Sequence, residues 1–174
     1  GRCAAMNTPL GHIAAHAAEL AVVVRDGTWD DRAAISDVLL TSQVFGQVDA
    51  DCVDEMYVET WQKPRADGYR WLMACDAAGS ALGFACYGVE SLTQDTWDLF
   101  WICVRPEARG KGAGRALMNT VVQRVRESNG RVMVIYTSST ETYAPARKLY
   151  EAAGFAQTAR IPDYYSDGDS LLIY

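Results

Sequence analysis

The chain has two histidines, no C-x-x-C pair, no surplus of positive charge and no long apolar run. A helical membrane span needs roughly 18 or more consecutive apolar residues, and no stretch approaches that, so no membrane partner is expected. The 16 Lys and Arg residues are outnumbered by 22 Asp and Glu, for a formal net charge of −6. A nucleic-acid partner calls for a basic surface, so none is expected, and an amine-bearing ligand fits the acidic balance better. The five cysteines (Cys3, Cys52, Cys75, Cys86, Cys103) are odd in number and far apart, and three lie in apolar strand-like segments. Buried free thiols in a reducing cytoplasm are expected rather than a disulfide framework. His12 and His16 are four apart and would share one helix face, with only Glu19 near as a third ligand. They are read as incidental, and no metal is expected.

At 174 residues, with 49% apolar and 22% charged, the chain reads as one globular domain with a sizeable core. Residues 1–20 read as an N-terminal extension, in which the first residues resemble a cloning remnant ahead of a native Met6 and Leu10 to Leu20 is a helical or disordered lead. The domain proper is expected over 21–174. Ala21 to Arg25 reads as a strand, and Thr28 as the cap of a helix running to about Leu40. A second helix is expected over Asp51 to Gln62. Strands follow at Tyr69 to Asp76, Ala81 to Val89 and Thr96 to Val104. Gly112 to Ser128 has the clearest helical period, with Leu117, Val121 and Val125 on one side and Met118 beside them. Arg131 to Thr137 is expected as a strand, Ala144 to Ala153 as a helix closed by Gly154, and Phe155 to Ile161 and Leu171 to Tyr174 as the last strands. This order is neither a regular βαβ alternation nor all-β, and calls for a mixed α/β sheet with helices on both faces.

The most informative stretch is Val104-Arg105-Pro106-Glu107-Ala108-Arg109-Gly110-Lys111-Gly112-Ala113-Gly114-Arg115. An apolar strand runs into a glycine-rich arc and then into a long helix. Such an arc points backbone N–H groups at one spot, where the positive end of the helix also lies, and that suits a diphosphate. Glycine lets the backbone approach the phosphates, and Arg109, Lys111 and Arg115 add charge beside them. Lys111 is followed by Gly112, not Ser or Thr, which sets aside a Walker loop, and G-x-G-x-G is not the dinucleotide fingerprint.

The spacing Arg109-x-x-Gly112-x-Gly114 resembles the acyl-CoA pyrophosphate loop of the GNAT family of N-acetyltransferases. Ala146-Arg147-Lys148-Leu149-Tyr150-Glu151-Ala152-Ala153-Gly154-Phe155 resembles that family's late motif. The resemblance covers about Ala21 to the C-terminus. It implies a mostly antiparallel central sheet of about seven strands, splayed between the fourth and fifth. Acetyl-CoA would be the acyl donor, with no metal. Arg109, Gly110, Lys111, Gly112, Ala113, Gly114 and Arg115 would hold its pyrophosphate, and backbone groups of Ile102, Cys103 and Val104 its pantetheine amides and acetyl carbonyl. Tyr150 is implied as the proton donor to the leaving thiolate, whereas on its own it also reads as a core aromatic. Relatives often carry Asn seven residues earlier; here that position is Tyr143.

Asp98 is the best candidate for the general base, since histone-acetylating relatives carry a carboxylate at the matching place, whereas many others use water or another residue. By simple alternation it shares a face with Phe100, Ile102 and Val104, though it also reads as a solvated strand-end residue. Tyr164 and Tyr165 either line the acceptor pocket or belong to an ordinary turn between the last strands. The expected reaction is direct acetyl transfer to the amine of a small molecule, peptide or protein in a ternary complex. A covalent route through Cys103 is disfavoured because neither histidine has reason to lie beside it. The rival is a non-catalytic acyl-CoA-binding sensor, and a different acyl group also stays open. The family resemblance makes a homodimer one expected partner state.

Overall fold

The computed structural model describes residues 21–174, so Cys3, the His12–His16 pair, Glu19 and the expected Leu10–Leu20 helix lie outside the described residues. The larger sheet has the order β1-β2-β3-β4-β5, formed by Val23–Asp26, Arg70–Cys75, Ala81–Val89, Thr96–Val104 and Val132–Val134. Its first four strands run antiparallel, and β5 lies parallel to β4. A smaller antiparallel sheet has the order β6-β8-β7, from Tyr136–Ser138, Asp169–Ile173 and Ala159–Ser166. Among the described residues four α-helices accompany the sheets: α1 (Arg32–Thr41), α2 (Gln47–Gln62), α3 (Ala113–Glu127) and α4 (Ala144–Ala152).

Strands β2 and β3 are buried along nearly their whole length because helices cover both faces of the sheet. On one face, Ile35, Val38 and Leu39 of α1 and Val53 and Tyr57 of α2 pack with Trp71, Met73, Phe84, Cys86 and Cys103. On the other, Leu117, Met118, Val121 and Val125 of α3 pack with Leu72, Ala85, Tyr87, Trp97 and Leu99. The expected α3 stripe is therefore the one that is buried. Cys75, Cys86 and Cys103 are buried free thiols, and Cys52 is an exposed one.

Local chemistry explains most element ends. The Asp76 carboxylate accepts from the N–H groups of Ala78 (2.9 Å) and Ser80 (2.8 Å), which turns β2 back into β3. α3 ends with Asn129 in the left-handed region (φ 58°) and Gly130 N–H on the Val125 carbonyl at 2.9 Å. α4 ends likewise at Gly154 (φ 93°), with Phe155 N–H on the Tyr150 carbonyl at 3.1 Å.

Four expectations are corrected. α2 begins at Gln47, earlier than Asp51, because the Asp49 carboxylate accepts the Gly46 N–H at 2.9 Å and caps the helix there. The single strand expected over Arg131 to Thr137 is two strands serving two sheets, broken at Ile135, whose N–H and carbonyl pair with Tyr174 instead. The described residues thus hold eight strands in two sheets where one sheet of about seven was expected, within the same mixed fold class. The strand expected at Phe155 to Ile161 runs over Ala159–Ser166, because the turn closing α4 folds Phe155 back before the ladder starts at Thr158 N–H to Ile173.

Candidate active site

β4 and β5 pair at Thr96, Trp97 and Asp98, and then separate. Beyond Asp98, β4 stays bonded to β3 as far as Val104, while the chain after β5 joins the smaller sheet. The stretch containing Ile102, Cys103 and Val104 thus has no partner strand on that side. Its outward backbone groups open onto a cleft.

The arc closes one end of this cleft. α3 starts at Ala113, and its first helical bond is Ala116 N–H to the Gly112 carbonyl at 2.9 Å. The N–H groups of Gly112, Ala113 and Gly114 therefore have no acceptor within the helix. Gly110 (φ 70°) and Gly112 (φ 92°) adopt the left-handed backbone that lets these groups converge, and a Cβ on Gly110 would meet only open space. Gly114 serves packing, since a Cβ there would lie 3.3 Å from Leu149 and 3.7 Å from Val104. The start of α3 thereby touches both α4 and the end of β4. The Arg109 guanidinium does not turn into the arc but donates to the Ser42 carbonyl.

Tyr150 lies on α4 beside the cleft, 5% exposed, with its ring edge-on to Tyr174 at 5.9 Å. Burial, reinforced by Tyr143 and Tyr174, pushes its phenol well above the usual tyrosine range, so it stays protonated. Its hydroxyl has no hydrogen-bond partner among the described residues. Among the described residues the only sealed side-chain polar atom without a partner is Trp97 Nε1. The phenol is a protonated donor with no acceptor among the described residues.

Asp98 is 6% exposed, and burial together with the nearby Glu90 pushes its carboxyl up to about 7. Its expected facing is corrected. A bulge sets Cys86 opposite Trp101 and Tyr87 opposite Leu99, leaving Phe100 as the extra residue of β4. Phe100 and Trp101 both face the α1–α2 side, whereas Ile102 and Val104 face α3 and α4. Asp98 shares the α1–α2 face with Phe100, but not with Ile102 and Val104. The Cys103 thiol also points toward α1, 3.8 Å from the Val38 carbonyl, and burial raises it to about 11. A thiol held neutral in the core is poorly suited to nucleophilic attack.

An aromatic wall lies on the same face. Phe45, between α1 and α2, meets Trp101 edge-on at 5.5 Å and Tyr143 at 6.1 Å. Asp49 and Asp169 both lie close enough to Tyr143 to raise its phenol further after burial has done so. Phe45 and Trp101 escaped the sequence reading of the site, because their meeting with Tyr143 depends on tertiary structure. The available signal was Tyr143 itself, two helical turns before Tyr150. Tyr164 and Tyr165 are exposed on β7, ring to ring at 5.0 Å, and Tyr165 reaches the neighbourhood of Tyr143 and Asp169. The segment expected as a turn between the last strands is mostly β7 itself, irregular between Ile161 and Ser166, and the turn is confined to Asp167-Gly168. A cavity of about 180 Å³ beside Glu59, Lys63 and Tyr69, at the far end of α2, includes neither the arc nor Tyr150.

The family described as "Acetyltransferase (GNAT) family" matches residues 36–155, which run from within α1 through β4, the arc and β5 to just past α4. The chain belongs to the GNAT family of acetyltransferases. It is 30% identical over 132 residues to the L-methionine sulfoximine/L-methionine sulfone acetyltransferase of Pseudomonas aeruginosa, covering 70% of each chain. A solved GNAT-family protein from Desulfovibrio desulfuricans superposes with a TM-score of 0.83 at 35% identity, covering 88% of this chain and 97% of that one. A Salmonella typhimurium protein solved with its cofactor acetyl-CoA shares the fold at a TM-score of 0.69 and 24% identity, covering 87% of this chain and 91% of that one. As a GNAT acetyltransferase, the chain is an acyltransferase. No group of three or more His, Cys, Asp or Glu among the described residues is placed to hold a metal ion.

Proposed function

We propose that this GNAT protein transfers the acetyl group of acetyl-CoA directly to a primary amine in a ternary complex. The observation that carries the reading is the parting of β4 from β5 beside the arc, with the protonated Tyr150 phenol on the helix that packs against Gly114 of the arc. The diphosphate of the donor fits the N–H groups of Gly110, Gly112, Ala113 and Gly114, with Lys111 and Arg115 adding charge. Pantetheine amides and the acetyl carbonyl pair with the open edge of β4 at Ile102, Cys103 and Val104. No metal is needed for the step.

Asp98 takes the proton from the acceptor ammonium, directly or through water, and a group titrating near 7 is matched to that role. The neutral nitrogen attacks the thioester carbon. The tetrahedral oxyanion collapses, the carbon–sulfur bond breaks, and Tyr150 donates its proton to the departing thiolate. The acceptor approaches from the face of Asp98, Phe45 and Trp101, with Tyr164 and Tyr165 at the outer rim. The name of the Pseudomonas aeruginosa relative puts amino-acid-like amines first among the acceptors to try.

Thiol release from acetyl-CoA across polyamines, aminoglycosides, amino acids and short peptides tests the reading, comparing the parent with Tyr150→Phe. Turnover with one amine class that falls sharply in the variant is the expected result. Acetyl-CoA binding by calorimetry with no acetylated amine, peptide or protein would favour a non-catalytic acyl-CoA sensor. Absence of acetyl-CoA binding would sink both.

A further inference from the structure

The first residue of the arc turns its side chain away from it. Arg109 Nη2 donates to the carbonyl of Ser42, just past the last turn of α1. Ser42 is fully buried. Its hydroxyl donates to the Leu39 carbonyl at 2.7 Å and accepts the N–H groups of Val44 at 3.2 Å and Phe45 at 3.4 Å. Phe45 in turn packs edge-on against Trp101 and Tyr143. An unbroken series of contacts thus runs from the arc through Arg109 and Ser42 to the aromatic wall.

A second arginine of the same connection grips the same helix. Arg105 donates to Asp37 at 2.6 Å, to Thr41 at 3.3 Å and to the Ala81 carbonyl at 2.7 Å. Guanidinium groups suit the C-terminal end of a helix, where unpaired carbonyls carry partial negative charge. Cys103 of β4 meets the Val38 carbonyl of α1 at 3.8 Å, and the Arg109 bond to Ser42 lies at the end of that same α1–β4 seam.

We propose that Arg109 is a positioning residue that holds the Ser42–Phe45 loop against the donor arc, and with it the Phe45–Trp101–Tyr143 wall of the acceptor site, rather than a side-chain ligand of the diphosphate. The proposal rests on the acetyl-CoA reading of the arc. The rigid planar guanidinium fixes the direction of the one Nη2–H that meets the Ser42 carbonyl, whereas a lysine ammonium on its shorter, freely rotating stem does not hold that direction. The acceptor loop is therefore sensitive to this position even when the positive charge is kept.

The test uses the parent, Arg109→Gln, Arg109→Lys and Phe45→Ala with two donors, acetyl-CoA and S-acetylpantetheine, which has no diphosphate. The acceptor is the amine that turns over fastest in the panel. Both Arg109 variants should raise the acceptor KM about tenfold with either donor, while the acetyl-CoA Kd by calorimetry changes less than about twofold. Arg109→Gln combined with Phe45→Ala should be no worse than the poorer single variant, because both act through one loop. Amide hydrogen exchange gives a readout that needs no acceptor: the Val44 and Phe45 amides should exchange about tenfold faster in Arg109→Gln, with the Gly110–Gly114 amides unchanged. A tenfold loss of acetyl-CoA affinity that spares S-acetylpantetheine, with an unchanged acceptor KM, would make Arg109 a diphosphate ligand and overturn the proposal. Multiplying effects of the Arg109 and Phe45 changes would also overturn it. Failure of the parent itself to bind acetyl-CoA overturns the donor reading first, and is seen before any variant is made.

Discussion

Two side chains proposed for opposite duties have had their titration shifted the same way by burial. Tyr150 is pushed up and stays a donor, and Asp98 is pushed up to about 7, where it can accept a proton near neutrality. Removing the Tyr150 hydroxyl should lower kcat by about 10²-fold, the lower range for general-acid catalysis. The acetyl-CoA Kd should stay unchanged by calorimetry, since the hydroxyl's role arises only as the thiolate forms. Asp98 must be ionised to act as a base, so kcat/KM should rise with pH through about 7. Asp98→Asn should flatten that limb and cost about 10²-fold at pH 8. Stability runs the other way. A carboxyl whose folded-state pKa is raised favours folding at low pH and loses that contribution between the unfolded value near 4 and about 7. Holding it ionised above that window costs on the order of 2 kcal/mol after allowing for residual water access. Melting curves of Asp98→Asn and the parent should therefore diverge in the variant's favour from pH 5 to pH 8.

Among the elements, the passage from β4 through the arc into α3 was the most legible in the sequence. Its chemistry is local: glycines at fixed offsets, flanking charge, and an apolar period that begins where the glycines end. Gly112, at φ 92°, tests whether that local geometry is what binds the donor. Alanine there should cost about 1–2 kcal/mol of stability in urea titrations, because a Cβ resists the left-handed region. It should also weaken acetyl-CoA binding about tenfold. Gly79→Ala is the control, at φ 86° in the β2–β3 turn with open space around it. It should show the same stability loss with no change in affinity, and equal losses of affinity in both would refute the arc's role. What the sequence hid was non-local. The extra residue at Phe100 reversed the alternation that had put Asp98 with Ile102 and Val104, and nothing in Trp97 to Val104 marks where the bulge falls. The break at Ile135 was concealed because the apolar run Val132 to Ile135 passes straight into Tyr136 and Thr137, both strand formers, and only the pairing with Tyr174 separates the two strands. The meeting of Phe45 with Tyr143 joins residues nearly a hundred positions apart, a contact that no periodicity encodes.

Across the whole molecule, the cleft is the seam between two sheets that share one continuous chain at Ile135 and are otherwise joined through α3 and α4 packing. A donor lying between β4 and the smaller sheet would supply the backbone partners that β4 lacks beyond Asp98, binding the two sheets together. Ligand that binds only the folded state stabilises it by about 2.7 kcal/mol at a hundred times its Kd. For a chain of this size each kcal/mol moves the midpoint by roughly 2–4 °C. Acetyl-CoA at that excess should thus raise Tm by roughly 5–10 °C. The shift alone would not locate the ligand, but amide exchange would. Cleft-facing amides within Leu99 to Val104 should slow on acetyl-CoA binding, together with those of Gly110 to Gly114. Amides of β2, already bonded to β1 and β3 on its two sides, should change no more than global stabilisation requires. Slowing at the arc without any slowing along β4 would mean that the diphosphate is held but the acetyl end does not enter the cleft, and the proposed transfer geometry would fall.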